Sequence, residues 1–330
     1  MSVAQSQRLF QALFSKKKID QELAKMILVL LKIKGEQAGE LAGLVRVIRK
    51  LEKPIPHKSL PYLVDGCGTG GDGVSTFNIS TIASIVAAGA GAHVAKHGNR
   101  SISSKCGSAD LLEALGVKID ASPKRMLKAL RECRIAYFHA PLYHPAFKTL
   151  QSLRGELAKK KIRTIFNLAG PLLNPLRPSR QVIGVFKKSL IPVMAEAAKK
   201  LNLIHVLIVW NYDGTDELTT TNKSLLAQLW KGRIKMTTIL PKTYGFKTGN
   251  RTALKGGNPK LNREIASRIL EGKDRGIRRD VILLNAAAIL YASGRANSLK
   301  EGIKLAVRSI DSKAALHALQ QLSKISHGTQ

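Results

Sequence analysis

The chain is poor in cysteine, in aromatic residues and in acid, and each shortage removes a class of protein. Cys67, Cys106 and Cys133 are odd in number and show no Cys-x-x-Cys spacing, which argues against a disulfide framework or a cysteine zinc site and suits a reducing cytoplasm. With no basic partner beside it in sequence, Cys67 reads as a filler of its loop rather than a nucleophile. Aromatics make up 5% of the residues, too few to interleave with the basic ones as a stacking surface for nucleic acid requires. No apolar run reaches the roughly 18 residues of a membrane span. The start, Met1-Ser-Val-Ala-Gln-Ser-Gln, lacks the basic n-region and apolar core of a secretory signal. Internal repeats and low-complexity segments are missing too.

What is there is a globular composition, 44% hydrophobic and 23% charged, with 54 Lys and Arg against 22 Asp and Glu for a net charge of +32. A chain this long buries about 75% of its unfolded surface, enough for one large domain and a smaller partner. The basic clusters at Lys16 to Lys18, Lys159 to Lys161, Lys187-Lys188, Lys199-Lys200 and Arg275 to Arg279 are scattered rather than gathered in one tail. Such a surface suits the steering of a highly anionic substrate, and nucleic-acid binding is the less favoured reading.

The most informative stretch is residues 65–110. Asp65-Gly-Cys-Gly-Thr-Gly-Gly-Asp-Gly is followed by Phe77-Asn-Ile-Ser-Thr, an Ala/Val/Gly-rich run, and Lys96-His-Gly-Asn-Arg-Ser. Gly68, Gly70, Gly71 and Gly73 let backbone N–H groups approach an anion without Cβ clashes. Asn78, Ser80 and Thr81 stand where a helix should begin, so their polar groups and the unpaired helix N–H groups can converge on one phosphate. Lys96, Asn99 and Arg100 then add cationic and amide donors. Neither a Walker loop nor a dinucleotide fingerprint fits, since the glycines are spaced differently and Asp72 lies inside the turn itself.

Periodicity predicts helices over residues 4–13, 20–32 and 38–51, then a linker marked by Pro54, Pro56 and Pro61. Strands are expected at Tyr62 to Asp65, Ala92 to Lys96, Ile135 to His139, Gln181 to Phe186, Ile204 to Trp210 and Ile239-Leu240, with helices at 79–89, 108–115 and 191–200. The fold class is therefore α/β: a small helical domain plus a larger α/β domain whose mostly parallel central sheet is flanked by helices. The acid pair Asp216-Glu217 follows a strand and offers the oxygen ligands that Mg²⁺ prefers.

These segments together resemble the anthranilate phosphoribosyltransferase family. The resemblance is carried by Gly68-Thr-Gly-Gly-Asp72, Asn78-Ile-Ser-Thr81 and Lys96-His-Gly-Asn-Arg-Ser101, and it extends from about residue 8 to 308. Lys32 to Glu36 and Glu40 to Leu44, Tyr143-His-Pro-Ala146 with Arg154, Arg163 to Asn167, Gly170-Pro-Leu172, Asn174-Pro175, Asp216-Glu217 and Leu284-Asn-Ala-Ala287 all take part. It implies a helical domain of residues 1–60 completed by about 148–180, and an α/β domain of 61–147 and 181–330 that binds phosphoribosyl pyrophosphate. It implies Mg²⁺ on Ser80, Asp216 and Glu217, the donor on Gly68, Gly70, Gly71, Asp72, Asn78, Ser80, Thr81, Lys96 and Ser108, and anthranilate against Asn99, Arg154, His97, His144 and Pro171. No residue is assigned as a general base, because the amine carries its own lone pair. A homodimer through the helical domain is a further implication. The chain departs from the family's pattern in the longer segment Gly155 to Lys161, in Trp210-Asn211 where a His-Gly step is usual, and in Lys16 to Lys18. A pyrimidine nucleoside phosphorylase and a nucleic-acid-binding relative without turnover are the alternatives; the intact acid pair and acceptor segment favour the transferase.

Overall fold

Apolar residues at helical spacing build α1 (Val3–Ser15), α2 (Gln21–Lys34) and α3 (Ala38–Leu51), all contributing to one core with Phe10, Leu28 and Leu44 fully buried. The computed structural model describes residues 1–15, 20–52, 55–57, 60–70, 73–101, 105–160 and 162–328. Asp20 starts α2 by accepting the Leu23 N–H at 3.0 Å, and the Glu40 carboxylate closes the first turn of α3 on the Gln37 N–H at 3.0 Å. Glu40 is buried yet paired with the N-terminal amine at 3.2 Å and with Lys34 at 3.0 Å. α1 crosses α3 so closely that a Cβ on Gly43 would lie 2.5 Å from Ser6 Cβ.

The chain then enters the sheet through β1 (Leu63–Gly68), α4 (Ile79–Gly89), β2 (His93–Gly98), α5 (Ser108–Ala114), α6 (Pro123–Glu132) and β3 (Ile135–His139). It leaves for α7 (Ala140–Tyr143), α8 (Ala146–Thr149), α9 (Gln151–Lys159) and α10 (Ile165–Ala169), whose buried Leu153, Leu157 and Phe166 join the core of α1 to α3. It returns as β4 (Arg180–Gly184), α11 (Leu190–Lys200), β5 (His205–Asn211), β6 (Ser224–Trp230) and β7 (Arg233–Ile239). The helices α12 (Pro259–Leu270), α13 (Ile277–Ser293), α14 (Leu299–Asp311) and α15 (Ala314–His327) close the chain.

Strand order is β3-β2-β1-β4-β5-β6-β7, parallel from β3 to β5 and antiparallel beyond. Both faces are covered: along β4, Val182 faces the core of α4 and α13 while Ile183 faces that of α3 and α11. Strand order reverses between β1 and β4, and the crevice at their carboxyl ends is where an open α/β sheet binds its ligands.

The mostly parallel sheet and the helices at 38–51 and 79–89 match expectation. The hairpin β6-β7 departs from it: only Ile239 of the expected 239–240 strand belongs to β7. Ser224-Leu-Leu-Ala-Gln-Leu-Trp lacks β-branched residues and clean alternation, whereas β7 carries Ile234, Thr237, Thr238 and Ile239 and alternates polar with apolar from Arg233 to Thr237, a strand signal that reaches well before the expected 239–240. The two-residue turn Lys231-Gly232, with both φ positive, carried the available signal.

Gly43→Ala is expected to lower stability by about 1–3 kcal/mol, since backbone and Ser6 leave no room for a methyl group. A shift of the urea midpoint with unchanged slope would register it.

Candidate functional site

β1 and β4 end in Gly68 and Gly184, and the loop that follows β5 lays Asp216 across both. A Cβ on Gly68 would collide with the Asp216 carboxylate, and one on Gly184 with the Asp216 carbonyl oxygen. Gly70, at φ +64, donates its N–H to Asp216 Oδ2 at 2.9 Å, while the Thr69 N–H reaches Gly184 O at 2.9 Å. The loop is stiffened by Asp213, which accepts from Asn222 at 3.0 Å and from Thr219 and Thr221, and by Asn211, which accepts the Asp213 N–H at 2.7 Å. Ser80, in the first turn of α4, shares a small cavity with Asp216, Glu217, Cys67 and Asn285. Burial pushes the Asp216 carboxyl above its ordinary range, against the pull of the Gly70 N–H and of Arg163.

The remaining donor-side residues divide. Gly71 and Asp72 lie outside the described residues. Thr81 is buried in the first turn of α4, and Ser108 opens α5, its hydroxyl 3.3 Å from both Asn99 O and Tyr137 Oη. The amide of Asn78 is engaged at both ends, donating to Cys106 O at 3.0 Å and accepting from Asn262 at 2.8 Å, so it locks α4 to α12. Lys96 is buried and turned under the glycine loop, donating to Gly66 O at 2.7 Å. Arg100, counted from sequence among the cationic donors, is instead held by Asp110 at 3.0 Å and Glu113 at 2.8 Å.

On the acceptor side, His97 and His144 meet Nε2 to Nε2 at 3.3 Å, both buried. His144 stacks edgewise on Phe147, and the Arg154 guanidinium lies over the Phe147 ring at 4.7 Å from its centroid. Among the described residues no carboxylate lies against Arg154, although burial already disfavours its charge. Pro171 stands next to the donor-side cavity: its carbonyl accepts from Gln181 at 3.0 Å and faces Sγ of Cys67, which lines that cavity, at 3.9 Å. Asn99 uses its side-chain oxygen on the Arg100 N–H at 2.8 Å. Of the long segment after Arg154, Gly155 to Lys159 complete α9, where Glu156 pairs with Lys25 of α2 at 2.8 Å and with Lys160 at 3.0 Å; Lys161 lies outside the described residues.

Sequence reading did not give roles to several polar residues beneath the site. Asn174 donates to Asp65 Oδ2 at 2.9 Å and to Ala95 O at 2.7 Å, tying the buried Asp65 of β1 to the neighbouring strand. Glu52, just past α3, accepts from Arg177 at 2.5 Å and stands 3.6 Å from His144 Nδ1. Arg163 stacks on Phe186 at 4.3 Å from the ring centroid. Asn174 and Arg163 lie inside recognised segments; the Glu52–Arg177 pair joins positions too far apart in sequence to be read from pattern.

A glycine turn and an oxygen-donor cluster thus meet at the switch point of the sheet, with Arg154, which has no carboxylate partner among the described residues, beyond them. Residues 60–316 match the glycosyl transferase family, a/b domain. The chain is 40% identical to the anthranilate phosphoribosyltransferase of Persephonella marina, over 99% of its own length and 96% of the relative's, and 44% identical to that of Brevibacillus brevis, over 90% and 86%. Its fold superposes on the Thermus thermophilus anthranilate phosphoribosyltransferase with a TM-score of 0.92 at 37% identity, covering 99% and 96% of the two chains. It superposes on the Saccharomyces cerevisiae enzyme in complex with PRPP and Mg with a TM-score of 0.84 at 28% identity, covering 96% and 90%. The chain belongs to the anthranilate phosphoribosyltransferase family.

Burial pushes His144 down to about 4 and holds His97 well below the ordinary histidine range. The unfolded chain, with histidines near 6.5, binds more protons between pH 6.5 and 4, so stability falls as pH drops through that window and is level above it. The expected contribution of His144 is about 3 kcal/mol across the window. Denaturant unfolding at pH 7 and pH 4.5 should show a weaker pH dependence in His144→Gln than in the parent chain.

Proposed function

We infer that the chain transfers the phosphoribosyl group of phosphoribosyl pyrophosphate to the amino group of anthranilate, a step of tryptophan biosynthesis. The C1′–O bond to pyrophosphate breaks, the N–C1′ bond forms, and the amine releases one proton. The observation that carries this reading is Arg154, a largely buried cation without a carboxylate partner among the described residues, set one ring pair away from His97 at the end of β2. A planar aromatic acid supplies the missing carboxylate, and a guanidinium binds it through two parallel hydrogen bonds. His97, His144, Asn99 and Pro171 are the walls proposed for the ring.

On the donor side, Ser80, Asp216 and Glu217 present hard oxygen donors to one cavity and fit Mg²⁺ by donor chemistry. The yeast relatives include one in complex with PRPP and Mg and one with 4-fluoroanthranilate. Mg²⁺, when bound, would neutralise charge that gathers on the leaving pyrophosphate. The N–H groups of the Gly68 to Gly73 turn and of the first turn of α4, with Thr81 and Ser108, are read as the phosphate cradle, and Lys96 and Asn78 as the posts that hold it. Holding donor and acceptor in line lowers the barrier without a general base.

The helical layer, residues 1–60 with about 148–180, is read as a domain hinged to the α/β part, an assignment supported by the core that α1 to α3 share with α9 and α10. Dimerisation through it is supported by an apolar stripe on α2, Leu23, Met26, Leu30 and Ile33, 44% to 77% exposed. A low cysteine content, three in 330 residues, suits a cytoplasmic setting, and among the described residues no helix is long and apolar enough to cross a membrane.

Loss of anthranilate fluorescence in the presence of phosphoribosyl pyrophosphate and Mg²⁺ tests the reading; no loss while the donor still binds would redirect it to another acceptor. Asp216→Asn with Glu217→Gln is expected to abolish the Mg²⁺-dependent rate. Arg154→Gln should raise the KM for anthranilate by about 10- to 100-fold and leave that for the donor nearly unchanged, the range expected for losing hydrogen bonds to a charged group.

A further inference from the structure

We propose that Asn285 is a positioning residue for the acid pair, fixing the direction in which Asp216 and Glu217 present their carboxylates. Asn285 is buried on α13 and grips one residue of the acid loop from both sides. Its Oδ1 accepts the Leu218 N–H at 3.2 Å and its Nδ2 donates to Leu218 O at 2.6 Å. The second hydrogen of Nδ2 goes back to Val281 O at 2.8 Å, one turn earlier in the helix, so the amide plane cannot swing. Leu218 directly follows Glu217 and is fully buried. The loop is thus clamped on one side by the peptide of Asp216 seated on Gly184, and two residues later by Asn285.

Only asparagine has an acceptor and a two-proton donor at this reach. Aspartate has no donor for Leu218 O, glutamine is one methylene too long, and leucine has neither group. The same helix continues the floor of the site: Ile289, one turn on, lies against Gly66, and Asn285 and Ile289 line the cavity that Ser80, Asp216 and Glu217 share. α13 also packs on α4, which carries Ser80. A rotation of the Leu218 peptide would therefore be passed to the two carboxylates before any other part of the site.

This inference rests on the reading of Asp216 and Glu217 as metal ligands, and the test separates the two. Binding of phosphoribosyl pyrophosphate is measured by calorimetry with and without Mg²⁺, without the acceptor, for the parent chain, Asn285→Leu and the Asp216→Asn/Glu217→Gln pair. Residues that orient metal ligands typically change metal affinity by about 10- to 100-fold. Asn285→Leu is expected to lose about tenfold of the gain in donor affinity that Mg²⁺ gives, while Mg²⁺-free donor binding stays within about twofold. Should that variant fail to fold, Asn285→Ser, smaller and able to keep one hydrogen bond, carries the same expectation. An unchanged Mg²⁺ gain in a folded variant overturns the inference, as does an equal loss of all binding. If the acid-pair variant itself keeps the Mg²⁺ gain, the reading of the metal ligands fails instead.

Discussion

The close seating of Asp216, its carboxylate on Gly68 and its peptide on Gly184, is the contact on which the rest of the site depends. Two parallel strands end side by side without side chains, and the acid loop descends into the space so created. Any Cβ at either position would push the loop outward. The same seating brings the Gly70 N–H to the Asp216 carboxylate, so the glycine turn and the acid loop hold one another. Donor geometry is thus set by backbone contacts within a sheet whose strand order places the crevice there.

A second constraint links this crevice to the helical layer. Asp65 lies beneath the glycine turn, held by Asn174 and by the His97 N–H; His97 meets His144, and His144 faces Glu52, which Arg177 neutralises. Burial raises the carboxyls of Asp65 and Glu52 and lowers both histidines, so the whole line favours neutral or paired forms. Because it runs from β1 through the α7–α8 segment to the end of α3, the walls proposed for the acceptor share the contacts that dock the helices onto the sheet. Arg154, joined to this line through the Phe147 ring and without a carboxylate partner among the described residues, is the feature on which the proposed anionic ligand rests.

Much of this was legible in the chain. The glycine cluster, the helix start at Asn78-Ile-Ser-Thr81 and the acid pair stand out because they break the ordinary run of apolar and charged residues in a short stretch. What pattern could not give was direction. Lys96 and Arg100 look alike as cations four positions apart, yet one turns under the loop and the other outward to Asp110 and Glu113, because strand β2 ends between them. Asn78 reads as a phosphate-binding amide at a helix start, yet that amide also serves as a cross-brace, since its partner Asn262 is far along the chain. In the antiparallel extension only β6 is hard to read, since Ser224 to Trp230 has no β-branched residue and is held as a strand by its pairing with β5; β7 carries both alternation and β-branched residues.

The glycine turn, the first turn of α4 and the acid loop are proposed to form one metal-assisted phosphate site. Anomalous diffraction from crystals soaked in Mn²⁺ and pyrophosphate addresses it most directly. The account predicts a manganese peak bounded by Ser80, Asp216 and Glu217, with pyrophosphate against the Gly68 to Gly73 turn. A manganese peak elsewhere, for instance on Asp213 at the outer side of the loop, with that cleft empty of pyrophosphate, would contradict it.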